Sequence, residues 1–231
     1  MKFKRVLLKL SGEALAGSKS SGIDIESVTS LAQEIKKAYL KKIQLGVVVG
    51  AGNIWRGAGK DMDRVTADQI GMVATVMNAL ALKQTLIKLG VPAVVQSAFN
   101  VSGFVEKYTS NKASQYLKTK NVVIFAGGTG NPYFTTDTTA ALRAAEINAD
   151  VLLKATQVDG VYTDDPKKNL NAKKYSKIGY EEAISKNLKI MDTSAFALCK
   201  ENKLPIIVFN FHKSGNLAKV LSGKNIGTLV S

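Results

Sequence analysis

The sequence predicts an α/β fold, a three-layer αβα sandwich with a mostly parallel central sheet, and three observations favour it. Short apolar runs alternate along the chain with longer segments whose apolar residues recur at helical spacing. The short runs are apolar nearly throughout, which is typical of parallel strands covered on both faces. Hydrophobic residues make up 45% of the 231 residues, enough for one large core. No linker or low-complexity segment divides the chain, so we predict a single domain over residues 1–231.

The elements can be assigned in chain order. Each predicted strand is a short apolar run, and the strands are residues 6–10, 47–49, 93–95, 122–126, 151–154 and 206–209. Each predicted helix has apolar residues at helical spacing, and the helices are residues 25–42, 64–89 and 138–148. The helix over 64–89 is apolar on several sides, which is typical of burial in the domain or in an oligomer interface. Residues 159–177 are polar and turn-rich, which indicates a surface loop or hairpin.

The charge and the terminal segment limit the classes of partner. The formal net charge is +14, but the lysines are spread along the whole chain rather than gathered into a block. A broadly basic surface suits a small anionic substrate and does not require nucleic acid. The N-terminus lacks the pattern of a signal peptide, and no apolar stretch is expected to reach the roughly 18 residues of a membrane span. We therefore predict a cytoplasmic protein with no membrane partner.

The cysteine content excludes two classes of site. Cys199 is the single cysteine, so neither a disulfide framework nor a multi-cysteine zinc site is possible. Its neighbours, Ser194-Ala-Phe-Ala-Leu-Cys199, indicate a buried position on a helix.

The loops after the predicted strands carry the unusual residues, and ligands of such sheets bind outside the carboxyl ends of the strands. The first of these loops is Lys9-Leu10-Ser11-Gly12. A lysine at the end of a buried strand is costly unless its ammonium group meets an anion, although it could also extend to water. The hydroxyl and the glycine beside it suit a phosphate group that approaches the backbone closely.

The second loop follows the next strand and reads Gly50-Ala51-Gly52-Asn53-Ile54-Trp55-Arg56-Gly57. Glycines let backbone N–H groups face phosphate oxygens, and an arginine offers a planar fork to two oxygens at once. A plain turn has the same composition. A dinucleotide-binding fingerprint is excluded, because its third glycine would fall at Trp55.

Three further segments suit a nucleotide. Asp68, near the start of the long helix, could accept ribose hydroxyls or could be an ordinary first-turn acid. Residues 127–137 combine glycines, hydroxyls and an amide before a helix N-terminus, where Asn131 and Thr136 could contact a base and Asp137 and Thr138 could be helix caps. Residues 156–166 could flank an adenine with Tyr162, or could form a hairpin turn.

Two common kinase routes are excluded by the sequence. It contains no Gly-x-x-x-x-Gly-Lys-[Ser/Thr] motif and no protein-kinase motif set. Taken in order, the five loops instead resemble the amino-acid-kinase superfamily and, within it, the bacterial uridylate kinases. The matching segments are Lys9-Leu-Ser-Gly-Glu-Ala-Leu15, Gly52-Asn-Ile-Trp-Arg-Gly57, Ala67-Asp-Gln-Ile-Gly-Met-Val-Ala-Thr-Val-Met-Asn78, Thr129-Gly-Asn-Pro-Tyr-Phe-Thr-Thr-Asp137 and Val158-Asp-Gly-Val-Tyr-Thr-Asp-Asp-Pro166.

The resemblance implies an amino-acid-kinase-like fold that transfers a phosphoryl group from ATP to UMP in pyrimidine nucleotide synthesis. Acceptor-binding loops would lie mainly in the N-terminal part and adenosine-binding loops mainly in the C-terminal part. The residues implied for ATP are Lys9, Leu10, Ser11, Gly12, Gly52, Arg56, Thr156, Tyr162 and Asp165. The residues implied for UMP are Ala51, Asp68, Thr129, Gly130, Asn131, Pro132, Tyr133, Phe134, Thr135 and Thr136.

The resemblance also implies the catalytic groups and the assembly. Lys9 and Arg56 would hold the transferred phosphoryl group, and Mg²⁺ would bridge ATP oxygens with few protein ligands. Asp137 and Asp192 are second-tier candidates for positioning the lysine or the metal. The family is typically a homohexamer built from dimers, with GTP and UTP as effectors.

One position departs from the family pattern, which usually has glycine in place of Ala51. Because the implied contact uses the backbone, a methyl group is tolerated there if the local φ is negative.

Three alternatives remain open from the sequence. The first is another member of the superfamily, such as a carbamate or acetylglutamate kinase. The second is a nucleotide sensor or storage protein without catalysis, and the third is a nucleic-acid-binding regulator suggested by the net charge.

Overall fold

A computed structural model describes residues 3–56, 61–166, 168–186, 188 and 190–231. Its strands are β1 (Arg5–Leu10), β2 (Gln44–Val49), β3 (Ala93–Ser97), β4 (Glu106–Lys107), β5 (Val122–Ala126), β6 (Val151–Thr156), β7 (Lys177–Ile178), β8 (Ile206–Asn210) and β9 (Thr228–Val230). Its helices are α1 (Glu13–Ala16), α2 (Ile25–Leu40), α3 (Arg64–Lys88), α4 (Ser110–Lys118), α5 (Thr136–Glu146), α6 (Tyr180–Ser185), α7 (Thr193–Glu201) and α8 (Asn216–Leu221). Gly57 of the second loop motif and Lys167 lie outside the described residues.

The strands form one sheet in the order β4-β3-β5-β2-β1-β6-β8-β9-β7. The pairs from β4 to β8 are all parallel, while β9 is antiparallel to β8 and parallel to β7. Strand β1 lies between β2 and β6, at the point where the chain turns from one half of the sheet to the other. The carboxyl ends of these strands are therefore the expected position of a ligand.

Alternation along the strands sends side chains to two separate cores. On one face, Leu8 of β1 packs with apolar residues of α2, α3 and α8. On the other face, Leu7 packs with α4, α5, α6 and α7. The sheet thus has helices on both sides, which confirms the predicted αβα sandwich with a mostly parallel sheet.

The predicted strands and helices are all present, with small shifts at their ends. Several shorter elements of the structure were not predicted. The turn-rich segment after β6 forms turns and one antiparallel bridge between Tyr162 and Lys174, as expected of a hairpin-like loop. Helices α1, α4, α6 and α8 and strands β4, β7 and β9 are missing from the prediction. Helix α4 is strongly polar and the three strands have only two or three residues, so their apolar patterns are too short to read.

Helix α3 requires a correction. By length and composition alone this helix could cross a membrane, whereas no stretch was expected to reach that length. Leu82 and Leu86 are fully buried against the sheet, so α3 is a core helix of this fold. Its opposite face leaves Val73 and Met77 exposed at 53% and 50%.

The predicted position of the single cysteine is confirmed. Cys199 is fully buried on α7. Burial raises the pKa of its thiol to about 12, so the thiolate that a nucleophile needs is not formed near neutral pH.

Candidate active site

Two lysines meet at the centre of the sheet. Lys9 of β1 and Lys154 of β6 are direct partners in the parallel register. Each follows a residue that enters the α2–α3 core, so by alternation both lysines turn to the face covered by α5. Sequence reasoning identified Lys9 and missed Lys154. A signal was present, because Val6-Leu-Leu-Lys9 and Val151-Leu-Leu-Lys154 are the same four residues.

Asp137, in the first turn of α5, lies between the two ammonium groups. Its Oδ1 is 2.8 Å from Lys9 Nζ and its Oδ2 is 2.5 Å from Lys154 Nζ. All three side chains are only 12–14% exposed. One carboxylate cannot neutralise two ammonium groups, so the cluster keeps an excess positive charge at the carboxyl edge of the sheet and attracts an anion.

The pKa values in this cluster reflect burial and charge together. Burial alone would raise the pKa of Asp137, but the ammonium groups of Lys9 and Lys154 outweigh it and leave the carboxyl pKa below 3.8. Burial lowers the pKa of Lys154 below 10.5, an effect that Asp137 opposes and the like charge of Lys9 increases. The carboxylate is therefore charged at neutral pH, and Lys154 holds its proton less firmly than an exposed lysine.

The N-terminus of α5 is fixed by hydroxyl groups rather than by the residues expected as caps. The N-cap is Thr135, whose Oγ1 accepts from the backbone N–H groups of Asp137 and Thr138. The caps expected at Asp137 and Thr138 were wrong, because both residues lie inside the helix. Asp192, the N-cap of α7, accepts from the hydroxyls of Thr135 and Thr138, with 2.8 Å to Thr138 Oγ1. It joins α7 to α5, and it is Asp137 rather than Asp192 that contacts the lysines.

The loops after β1 and β2 pack directly on each other. A Cβ atom at Gly12 would lie 2.6 Å from Asn53 Oδ1 and 2.7 Å from Gly52 N, so the contact has no room for any side chain. Two buried amides hold the second loop, because Asn53 and Asn78 donate to each other and Asn78 also donates to the Gly50 carbonyl. The backbone around the predicted phosphate contacts is thus held rigidly.

The backbone of Ala51 has a conformation that is allowed for a residue with a side chain. It is absent from the described non-glycine residues with positive φ, which are Lys42, Lys120, Tyr133, Asn148 and Lys203. The condition for tolerating a methyl group in place of the family glycine is therefore met.

Arg56 lies apart from the two lysines. Its side chain is 68% exposed, forms an ion pair with Glu13 and donates from Nε to the Gly52 carbonyl at 3.1 Å. The sequence paired Lys9 with Arg56, whereas the cation adjacent to Lys9 is Lys154. A phosphate contact at Arg56 stays a prediction.

An acceptor-sized cavity lies on the α3 side of the lysines. It has a volume of about 190 Å³, and its lining includes five of the residues implied for UMP, namely Ala51, Asp68, Phe134, Thr135 and Thr136. Asp68 Oδ2 accepts from the Tyr133 backbone N–H at 2.8 Å and from Arg64 Nε at 3.0 Å. Helix α3 is thereby tied to the loop over residues 127–135. The other residues implied for UMP, Thr129, Gly130, Asn131, Pro132 and Tyr133, lie on that loop outside the cavity lining.

The residues implied for ATP are divided between the two sides, since Gly52 lines the cavity beside α3. Leu10, Ser11 and Thr156 border one narrow crevice between the ends of β1 and β6. Tyr162 and Asp165 lie on the turn-rich loop, where the Tyr162 hydroxyl donates to Asp159 and the Asp165 carbonyl accepts from the turn backbone. A larger cavity of about 720 Å³ borders Asp137 and Lys154 and has a mostly apolar wall of Ala183, Ile184, Leu188, Ile190, Met191, Phe196 and Ala197. This wall was not predicted, and its apolar lining suits an apolar or aromatic part of a ligand.

A dedicated metal site is not found in the described ranges, where no three His, Cys, Asp or Glu side chains are grouped to hold an ion. Asp137 faces two ammonium groups and Asp192 accepts three hydrogen bonds, so neither carboxylate is free in this state. Such a site fits a magnesium ion that is held mainly by nucleotide phosphates.

Comparisons with known proteins agree with this geometry. The model of the amino acid kinase family matches residues 4–210. The crystal structure of a UMP kinase from Bacillus anthracis superposes with a TM-score of 0.97 at 37% identity, covering 100% of this chain and 97% of that one. A UMP kinase from Ureaplasma parvum gives 0.94 at 43% identity with full coverage of both chains. A uridylate kinase from Archaeoglobus fulgidus gives 0.75 at 28% identity, covering 98% and 99%.

Proposed function

The chain belongs to the amino acid kinase family, and from that premise we propose that it transfers the γ-phosphoryl group of ATP to UMP, forming ADP and UDP. The resemblance inferred from the five loops is confirmed at the level of the family and of its UMP kinase structures. The observation that carries the proposal is the Lys9–Asp137–Lys154 cluster, which lies between an acceptor-sized cavity and a larger apolar one.

The cluster supplies charge where the transfer needs it. A γ-phosphoryl group in transit spreads negative charge over its three peripheral oxygens, so positioned cations stabilise the transition state. Lys9 and Lys154 approach from adjacent strands, and Asp137 fixes both ammonium groups in advance. Arrival of the triphosphate also favours the charged form of Lys154, whose pKa burial has lowered.

The acceptor needs no general base. The second pKa of a phosphate monoester is about 6, so the phosphate of UMP is mostly a dianion at neutral pH. One of its oxygens attacks Pγ while the bond from Pγ to the β–γ bridging oxygen breaks, and the electron pair leaves with ADP. The protein then contributes alignment and charge.

The two cavities divide the substrates. UMP occupies the cavity beside Ala51 and Asp68, with the loop over residues 127–135 above it. The phosphates of ATP lie over Ser11 and Gly12, and its adenine occupies the apolar cavity behind Lys154. Tyr162 and Asp165, on the turn-rich loop, hold the adenosine part of ATP. Mg²⁺ enters with ATP and neutralises phosphate charge when bound.

The exposed face of α3 supports a proposal of self-association. Val73 and Met77 form an apolar stripe on a long helix, and such stripes mark interfaces. We propose that two chains pack through this face and that dimers assemble further into a hexamer. Sedimentation of a Met77→Lys variant should reveal a smaller species, and an unchanged mass would exclude this face.

The remaining proposals also rest on membership of the amino acid kinase family. We propose that residues 1–231 act as a single domain in the cytoplasm, serve pyrimidine nucleotide synthesis, and respond to GTP and UTP. Nucleic acid and membrane are not required. Adding GTP or UTP to the assay below would test the response, and flat titrations would remove it.

A coupled ADP-release assay tests the central proposal. Purified protein with MgATP is given UMP, CMP, carbamate or N-acetylglutamate in turn, and we expect turnover with UMP far above the others. Turnover with carbamate or acetylglutamate instead would assign the chain to another activity of the family. Tight binding of ATP and UMP without ADP release would indicate a nucleotide sensor.

A further inference from the structure

We call residues 127–135 the acceptor loop. Near its start, the peptide between Gly128 and Thr129 has no hydrogen bond to another residue of this loop. Gly127 and Gly128 have φ values of +76° and +62°, in the left-handed region that glycine adopts without strain. The Gly127 backbone N–H is fixed, because it donates to Thr75 Oγ1 on α3 at 2.8 Å. The next peptide joins Gly128 to Thr129, and a peptide beside glycine rotates at little cost.

A buried arginine on α5 contacts the carbonyl of this peptide. Arg143, two turns into α5, has a side chain that is only 5% exposed. Its Nη1 donates to Glu146 at 2.6 Å, and its guanidinium stacks on the Tyr108 ring with Cζ 3.8 Å from the ring centre. Its Nη2 donates to the Gly128 carbonyl at 3.4 Å. Glu146 also accepts from the Tyr108 hydroxyl at 2.6 Å, so the arginine is held on two sides and directed at the loop.

The geometry of this peptide determines the direction of the next N–H group, that of Thr129. All described peptide bonds are trans, so the Thr129 N–H points opposite to the Gly128 carbonyl and hence away from Arg143. Gly128 itself borders the acceptor cavity. In the described part of the chain the Thr129 N–H meets no protein acceptor, whereas the neighbouring Gly130 and Asn131 N–H groups each have one.

We propose that Arg143 is a positioning residue for the acceptor nucleotide. By holding the Gly128 carbonyl, it orients the following peptide so that the Thr129 N–H donates to an oxygen of bound UMP. This inference rests on the proposed function and assigns one of its specific interactions. Arg143 does not touch the reacting atoms, so its loss changes acceptor binding and leaves phosphoryl transfer at saturation largely intact.

The test is a comparison of steady-state constants in Arg143→Met and Arg143→Lys. Methionine keeps the volume and removes the donors, and we expect the KM for UMP to rise roughly tenfold, while kcat and the KM for ATP stay within about twofold. Lysine keeps the charge, but one ammonium group cannot pair with Glu146 and also reach Gly128, so an intermediate rise is expected.

Tyr180→Phe is the control for lost stability. It removes one buried hydrogen bond, from the Tyr180 hydroxyl to the Leu204 carbonyl, and leaves every contact of Arg143 in place, so it should lower the melting temperature without changing the KM for UMP. Amide hydrogen exchange supplies a second measurement, because UMP should slow exchange at Thr129 in the wild type and much less in Arg143→Met.

The outcomes separate the two levels of the proposal. Wild-type turnover of UMP with an unchanged KM in both Arg143 variants would overturn the role of Arg143 alone. A rise in KM that merely follows the loss of melting temperature, and that Tyr180→Phe shares, would do the same. A wild type that fails to phosphorylate UMP would overturn the proposed function and this inference together.

Discussion

Strands β1 and β6 carry the same four residues and lie side by side, yet they continue differently. Val6-Leu-Leu-Lys9 leads into Gly12, which packs on the loop after β2 without space for a Cβ atom. Val151-Leu-Leu-Lys154 leads into the turn-rich loop. Equal local sequence gives equal local geometry, because both lysines reach Asp137. Under the proposed function, the flanking loops place one strand beside both substrates and the other mainly beside the donor.

The largest expected effect comes from removing the group that both strands share. Asp137→Asn leaves two buried ammonium groups facing each other, and breaking a buried ion pair in this way costs roughly 3–5 kcal/mol of unfolding free energy. Urea denaturation measures the loss. The control is Asp192→Asn, which keeps a good N-cap for α7 but has one acceptor oxygen fewer for the Thr135 and Thr138 hydroxyls, so it should lose only about 1 kcal/mol. Equal losses in both variants would mean that the lysines do not depend on Asp137.

The equivalence of the two strands is tested by Lys9→Met and Lys154→Met. If both ammonium groups face the γ-phosphoryl group, each variant should lose kcat by about 10²- to 10³-fold, while the KM for UMP changes little. Rapid-quench or coupled assays at saturating substrate give the numbers. Wild-type turnover in Lys154→Met would limit β6 to a structural part and contradict the symmetric description.

A pH profile distinguishes the two kinds of charge in the cluster. The pKa of Lys154 lies below 10.5, so the lysine is charged below its folded pKa and loses its charge as the pH rises through it. We expect kcat/KM for ATP, which reports the groups of the free enzyme, to fall about tenfold per pH unit above that pKa, and this fall should begin at a lower pH than the titration of an exposed lysine. In Lys154→Arg the alkaline limb should move to higher pH, and an unmoved limb would assign it to another group.

The same reasoning predicts how the stability of the protein changes at acid pH. The pKa of Asp137 lies below 3.8, so the stability that the carboxylate contributes is present above 3.8 and is lost as the pH falls through its folded pKa.

The smallest effect is expected from a substitution in the cavity beside α3, on the side of β1 away from β6. Asp68→Asn weakens the hold on the Tyr133 N–H and on Arg64, and it should raise the KM for UMP by roughly three- to tenfold with little change in kcat. Initial rates over a range of UMP concentrations decide. A matching rise in the KM for ATP would show that acceptor and donor sides are coupled more tightly than the two strands suggest.

The comparison of strands also shows where sequence reasoning succeeds. Long elements with a clear apolar period, such as α2 and α3, were located within a few residues. Lys9 was identified because a lysine beside a glycine-rich turn suggests phosphate. Lys154 carries no such turn, and only strand pairing places it beside Lys9.

Other residues could not be predicted because their partners are remote in sequence. The apolar wall behind Lys154 comes from α6, α7 and the segment between them, which have no motif. Arg143 resembles an ordinary helix residue until its contact with Gly128 is seen. Arg56 lies in one of the motifs, but its ion pair with Glu13 could not be predicted, because it depends on where α1 places Glu13.

The pairing of β1 with β6 finally has a consequence for biosynthesis. At about 5–20 residues per second, the ribosome finishes β1 on the order of ten seconds before β6 is made. During that interval β1 can pair with β2 but has no neighbour on its other edge, and Lys9 waits for both Asp137 and Lys154. A nascent chain of this protein is therefore exposed to wrong pairing along an apolar strand, and its catalytic centre closes late in synthesis.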